Sequence, residues 1–188
     1  MTVADVVSGA LFAQTGKTVA LSVDQLTACT NGCMGSTAQK TVGWFVENRA
    51  GAIATAESYK NDENYKQCLS IQKTTTAAIV SGVTAIKAKD EQALMEAIVK
   101  SGPIGVDIDA APFRGYRGGL LKCTVNDTQV DDAMTVVGYN TDDKDKPYWI
   151  VKNSWGTDWG EQGYLMLAMG KQDCGASLAP WTVTVMRC

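Results

Sequence analysis

The chain has 188 residues, which is enough for one domain or two closely packed lobes and too few for a multidomain assembly. It is 45% hydrophobic and 20% charged, and its net charge is -3. This composition can bury a core and excludes intrinsic disorder, and the net charge gives no sign of a nucleic-acid partner. No apolar run approaches the roughly 20 residues of a membrane-spanning helix, so we expect no membrane span.

Hydrophobic spacing and capping patterns predict four helices in the first 101 residues. Ser22 followed by Gln25 is a capping box, and Asp90 is an N-cap for the last of the four. The predicted helices run from Val3 to the Thr15–Gly16 turn, from Ser22 through Cys29, from Thr37 to Asn48, and from Glu91 to Lys100. The polar stretch from Ala54 to Thr76 is predicted to be an irregular loop.

After Pro103 the hydrophobic period changes to two, which is typical of strands. Strands are predicted over 104–108, 132–140, 148–153, 164–168 and 181–185. Helices followed by antiparallel strands indicate an α+β protein with a helical lobe and a sheet or barrel lobe.

The sequence contains no histidine, which is the usual base at neutral pH and the commonest metal ligand. Its absence excludes Ser-His-Asp catalysis, Cys-His catalysis and His-based metal sites. We therefore expect no metal and no cofactor.

Six cysteines indicate disulfides and an oxidising compartment, because no second closely spaced pair accompanies Cys29 and Cys33 to complete a zinc site. The N-terminus lacks the pattern of an export signal, which points the other way. The sequence leaves this conflict open.

Residues 150–164, with the sequence IVKNSWGTDWGEQGY, closely resemble the asparagine motif of papain-like cysteine peptidases, the cathepsin group. Three further blocks follow the order of that family, and the Cys174–Gly175 pair and the aromatic strand at Trp181 complete the resemblance. The blocks are LSVDQL at 21–26 with Cys29 and GCMG at 32–35, SGPIGVDIDA at 101–110, and YRGGL at 116–120.

The resemblance covers nearly all of the chain and implies a papain-like two-lobe fold with a substrate cleft between the lobes. It implies a helical lobe at 1–84, to which 181–188 return, and a strand-rich lobe at 85–180. Relatives of this kind are lysosomal or extracellular, and the chain is expected in such a compartment by analogy alone.

The resemblance also implies where catalytic groups should lie. In that family a Cys thiolate and a His imidazolium act as a pair, and an Asn orients the imidazole ring. Matching the Thr15–Gly16 turn and Cys29 to the family places Met1 a few residues beyond the nucleophile. Asp132 occupies the place of the histidine, Asn153 that of the orienting Asn, and Trp155 that of the indole that shields it. Because an aspartate raises the pKa of a neighbouring thiol, we predict a catalytically inactive homologue, a pseudopeptidase.

The same resemblance implies a set of substrate-binding residues, and we expect a peptide or protein ligand in the cleft. Asp107 makes the main specificity pocket acidic, although the residue is equally interpretable as an exposed strand residue. The implied set consists of Gly35, Ser36, Ala38, Asp107, Val130, Asp131, Ala133, Trp155 and Ala179.

The family's disulfide pattern implies that Cys29 pairs with Cys68 and Cys123 with Cys174. Cys33 matches a position whose partner lies upstream of the nucleophile, and Cys188 has no family counterpart. These two thiols are therefore expected to be free or joined to an outside thiol or disulfide partner.

Two alternative readings remain. The chain is also interpretable as a truncated or processed fragment of a genuine cysteine-type endopeptidase. A hydrolase that uses Asp131 and Asp132 as a carboxylate pair is less favoured, because adjacent strand residues point to opposite faces.

Overall fold

The computed structural model describes residues 1–30, 36–59, 68–123, 129–170 and 173–186. Helices α1 to α4 of these ranges span Thr2–Thr15, Val23–Cys29, Ala38–Arg49 and Glu91–Ser101. Strands β1 to β8 span Ala52–Ala54, Thr76–Ala85, Ile104–Ile108, Leu120–Leu121, Asp132–Asn140, Tyr148–Lys152, Tyr164–Ala168 and Trp181–Met186. Two short 3-10 helices lie at Ile71–Lys73 and Ala111–Phe113.

The predicted capping signals act where the sequence placed them. Ser22 Oγ accepts a hydrogen bond from the Gln25 amide at 3.0 Å, and Asp90 Oδ1 accepts one from the Ala93 amide at 3.1 Å. Each bond satisfies an amide that the first turn of a helix leaves without a partner. Gly16 ends α1 with a φ of 69°, a left-handed conformation that glycine adopts without steric cost.

The periodicity predicted β3, β5, β6, β7 and β8 but missed β1, β2 and β4. In the ten residues of β2 only Ala78 and Val80 are buried, so the strand has no regular alternation of buried and exposed residues. Its Ala, Ser and Gly residues also have low strand propensity. The β2 strand forms through pairing with distant residues such as Ala52, which lies opposite Ile79 on β1.

The chain divides into two compact units. The first contains Met1, residues 3–84 and residues 183–188, and it carries α1, α2 and α3 beside antiparallel β1 and β2. Its core includes Val6, Val7, Val42, Phe45 and Ile53, all fully buried. A disulfide joins Cys29 at the end of α2 to Cys68, one of the pairs that the resemblance implied.

The second unit contains Thr2 and residues 85–182, so β8 gives its first two residues to this unit and the rest to the first. Its strands follow the order β8-β3-β5-β6-β7-β4, in which β4 is parallel to β7 and the other recorded pairs are antiparallel. The fully buried side chains of Ile104, Val106 and Ile108 on β3 help to form its core. A second disulfide joins Cys123 to Cys174, the other implied pair.

Candidate functional site

Asn153 directly follows β6 and is held by the loop that comes after it. Its backbone amide donates to the carbonyl oxygen of Gly163 at 2.9 Å, and its side chain is nearly buried, with 8% exposed. The side-chain oxygen accepts from the Ser154 amide at 2.7 Å, whereas the buried Nδ2 has no hydrogen-bond partner among the described residues. The amide therefore keeps unused hydrogen-bonding capacity at Nδ2 and at the second lone pair of the oxygen.

Trp155 stands in a row of aromatic rings that supports this loop. Its ring lies 5.2 Å from that of Trp159 in an edge-on arrangement, and Trp159 in turn lies 5.6 Å from Tyr116. The Trp159 indole nitrogen donates to the carbonyl oxygen of Phe113 at 3.1 Å, which anchors the middle of the row. Trp155 itself remains 41% exposed, so it forms the open end of the row.

A carboxylate clamp that the sequence patterns did not predict joins this loop to the 116–120 turn. Glu161 Oε1 accepts hydrogen bonds from the Gly119 amide at 2.7 Å and from the Tyr116 hydroxyl at 3.2 Å. Burial raises the pKa of Tyr116, and the nearby Glu161 carboxylate acts in the same direction, so the phenol stays a neutral donor. Both residues belong to quoted motifs, but no local pattern shows that two segments more than forty residues apart touch.

Asp131 and Asp132 sit at the start of β5 with different local roles. Asp131 is exposed, and its Oδ1 accepts from the Ala110 amide at 2.8 Å. Asp132 is half-buried, and its Oδ1 accepts from the amide of the next residue, Ala133, at 2.7 Å. Both carboxylates thus hold local backbone, and neither interaction places them as a pair on one reacting group.

Asp107 lies on β3 directly opposite Ala133 on β5, so the two side chains share one face of the sheet. Asp107 is half-buried and has an interaction of its own within the structure. Val130 is 47% exposed, and Ala179 is exposed. The second unit therefore carries most of the residues that the resemblance assigned to the specificity pocket.

The remaining predicted binding residues belong to the first unit. Ser36 is exposed and its hydroxyl accepts from the Thr41 hydroxyl at 3.3 Å, whereas Ala38 opens α3 and is buried. Gly35 lies outside the described residues, as do Cys33 and Cys188, which are predicted to be free or joined to an outside thiol or disulfide partner.

The described part of the chain contains neither a metal-binding cluster nor a membrane-spanning helix. No group of three or more His, Cys, Asp or Glu side chains in these ranges is arranged to hold a metal ion. The helices in the same ranges include none with the length and apolar character required to cross a bilayer.

The chain is similar in sequence to known cysteine proteinases. The chain is 37% identical over 155 residues to cysteine proteinase 1 of Dictyostelium discoideum, covering 80% of the chain and 44% of that protein. It is 36% identical over 186 residues to cathepsin L of Sarcophaga peregrina, covering 94% of the chain and 54% of that protein. The chain thus spans about half the length of these curated relatives.

Among solved structures, the bromelain protease from Ananas comosus in complex with the E64 inhibitor matches with a TM-score of 0.86 at 28% identity, covering 97% of this chain and 86% of that one. The fold is therefore papain-like, as the sequence predicted. The model of the papain family cysteine proteases matches residues 1–184. On these grounds the chain belongs to the papain family of cysteine proteases.

Proposed function

We propose that this chain is a papain-family homologue that binds extended peptides without hydrolysing them. The observation that carries the proposal is the lack of histidine anywhere in the 188 residues, together with Asp132 at the position that the resemblance assigns to the catalytic His. Membership of the family is supported by the comparisons, and the loss of catalysis is our inference from these residues.

The chemical argument rests on the difference between a carboxylate and an imidazolium. A carboxylate has no proton to give, so it cannot serve as the acid that protonates a leaving amine. Its negative charge also raises the pKa of a nearby thiol, whereas the imidazolium of an active peptidase lowers it. Asp132 therefore opposes both steps that a histidine would promote.

The contacts of Asn153 agree with a structural role. Its amide oxygen accepts from the Ser154 amide and keeps a second lone pair, which is the one that would accept an imidazole N–H. The sequence contains no histidine to supply that N–H. In this arrangement Asn153 supports its own loop and has no base to orient.

The proposed ligand is a peptide with a basic side chain. Asp107 and the small side chain of Ala133 share a sheet face, so the proposed basic side chain would lie over Ala133 and meet the Asp107 carboxylate. A charge-assisted hydrogen bond from Lys or Arg contributes about 1.5 to 3 kcal/mol, which corresponds to a roughly 10- to 150-fold preference over a side chain that cannot form it. Asp131 adds negative charge at the start of β5.

The first experiment measures hydrolysis. The purified chain is incubated with dipeptidyl fluorogenic substrates between about pH 4 and pH 8, beside an active cathepsin L as a positive control. We expect no turnover above background and no labelling by an epoxide that traps active-site thiols. Turnover that survives purification and that the epoxide stops would contradict the proposal.

The second experiment measures binding with matched peptides that carry Arg, Leu or Glu at the pocket position. We expect the Arg peptide to bind about tenfold more tightly than the others, and added salt to weaken that preference. The Asp107→Asn variant, which keeps the side-chain shape, should bind all three alike. Equal affinity of the unchanged protein for the three peptides would leave Asp107 as a strand residue without a binding role.

A second candidate function is that the chain forms part of a longer cysteine-type endopeptidase. The observation that favours it is the coverage of about half the length of the curated relatives. The test is to express the longest polypeptide that the source gene encodes and to assay it with and without Asp132→His. Epoxide-sensitive turnover without the substitution would favour this alternative over a pseudopeptidase.

A further inference from the structure

Arg49, the last residue of α3, lies against the Cys29–Cys68 disulfide. Its Nη2 donates to Cys68 Sγ and, at 2.6 Å, to the carbonyl oxygen of Leu69. The same nitrogen donates to Cys29 Sγ at 3.7 Å. One guanidinium group therefore contacts both sulfur atoms of the bridge.

No carboxylate offsets the charge of Arg49 within the part of the chain that the structure describes. Its recorded partners there are the two sulfurs, the Leu69 carbonyl and the ring of Trp44, whose centroid is 6.0 Å from the guanidinium carbon. Its Nη1 is buried and has no hydrogen-bond partner among the same residues. The positive charge therefore acts on the sulfurs without an opposing ion pair.

This placement of Arg49 lowers the free energy needed to open the bridge. A disulfide sulfur is neutral and a weak acceptor, whereas a thiolate is anionic and accepts a charge-assisted hydrogen bond. A neighbouring arginine lowers the pKa of a cysteine thiol, and a thiol of lower pKa leaves faster in thiol-disulfide exchange. Because Arg49 contacts both sulfurs, it stabilises whichever of them leaves as a thiolate more than it stabilises the neutral disulfide.

The two disulfides differ in access as well as in charge. Cys68 is half-buried, whereas Cys29 is only 7% exposed, so Cys68 is the more accessible of the two cysteines. Cys123 and Cys174 are both buried, with 5% and 2% exposed. No Lys or Arg among the described residues donates a recorded hydrogen bond to their sulfurs. The Cys123–Cys174 bridge therefore lacks both the cationic neighbour and the solvent access that promote exchange.

We propose that the Cys29–Cys68 bridge is a modification site for small thiols of the glutathione class. The incoming thiolate forms a new S–S bond with Cys68 Sγ while the bond between Cys68 and Cys29 breaks. The electron pair of the broken bond remains on Cys29 Sγ, which is held as a thiolate beside Arg49. The product is a mixed disulfide on Cys68, and a second small thiol releases Cys68 by attacking the outer sulfur of that mixed disulfide.

The test uses the folded chain in glutathione buffers of increasing reducing strength, followed by acid quenching, alkylation and peptide mass spectrometry. The Cys29–Cys68 bridge should open in less reducing buffer than Cys123–Cys174, with glutathione found on Cys68. Arg49→Gln should slow the opening about tenfold and shift its midpoint by about tenfold in equilibrium constant, or about 30 mV. Arg49→Lys, which keeps the charge, should retain most of the effect.

Arg114→Gln is the matched control, because Arg114 is an exposed arginine of the second unit and should leave both bridges unchanged. The opening rate of Cys123–Cys174 reports within each variant whether the fold is intact. If Arg49→Gln does not fold, the order in which the two bridges of the unchanged protein open and the behaviour of Arg49→Lys decide the question. The proposal is overturned if both bridges open together, if glutathione is found on Cys29 instead of Cys68, or if folded Arg49→Gln exchanges as fast as the unchanged protein.

Discussion

Residue 105 must be a glycine because a side chain far away in sequence, Trp181, occupies the space where a Cβ would lie. It lies on β3 directly opposite Trp181 on β8, and the indole ring of Trp181 fills the space that a side chain would need. A Cβ at residue 105 would lie 2.6 Å from the indole nitrogen and closer still to two ring carbons. Trp181 is itself fully buried and cannot move aside without disturbing the core.

We therefore expect Gly105→Ala to destabilise the protein by about 1 to 3 kcal/mol, the usual cost of overpacking a core. The measurement is equilibrium unfolding in urea. Gly82→Ala is the matched control, since Gly82 also lies in a strand but has no atoms within 4 Å of the added Cβ. Equal effects of the two substitutions would show that strand propensity, not the Trp181 contact, determines the cost.

At the scale of an element, α4 depends on a charged cap. Asp90 accepts the Ala93 amide at the helix start and also forms an ion pair with Lys87 at 2.8 Å. The hydrogen bond from Lys87, followed by that from the Ala93 amide, holds the pKa of Asp90 below its usual value. The carboxylate is thus favoured in the folded state over the unfolded one.

The lowered pKa of Asp90 determines how its contribution to folding stability changes with pH. The contribution of Asp90 should be present above its unfolded pKa of about 4 and should be lost as pH falls through the lower folded value. Asp90→Ala should lower the thermal midpoint at neutral pH, with a smaller loss in strong acid. Asp90→Asn keeps a capping oxygen but not the charge, so it should retain most of the stability at neutral pH. A pH profile of Asp90→Asn identical to that of the unchanged protein would show that Asp90 contributes nothing to it.

Across the whole molecule, the described residues of each compact unit include one disulfide that closes a long loop. The paired cysteines are 39 residues apart in the first unit and 51 in the second. Because loop-closure entropy grows only slowly with length, the two bridges should stabilise their units by similar amounts, about 4 kcal/mol each on the entropy model.

Replacing both members of either pair by alanine should therefore cost about 4 kcal/mol in the free energy of unfolding, measured by urea denaturation. The two double variants serve as controls for each other, because each leaves the other bridge in place. A bridge whose removal costs less than about 1 kcal/mol would show that its loop is already ordered in the unfolded chain.

Part of the candidate site could be predicted from the sequence, and part could not. Asn153 and Trp155 were found because they belong to one continuous motif, and the missing histidine needed only a count. The clamp between Glu161 and Gly119 was missed because its two segments lie far apart in sequence. The Arg49 contact with the first bridge was missed for the same reason, since a lone arginine at a helix end has no distinguishing local pattern.

The features that could be predicted from the sequence are those that depend on near neighbours along the chain. The Ser22 and Asp90 caps, the hydrophobic alternation of β3 and the family motif all act over a few residues, so a linear pattern contains them. Three other features were visible only in the folded structure. Residues 76–85 form a strand despite their weak pattern, the Trp181 ring packs against Gly105, and Arg49 contacts a disulfide. These features arise when distant segments pack, because burial and strand pairing there supply free energy that local propensity does not.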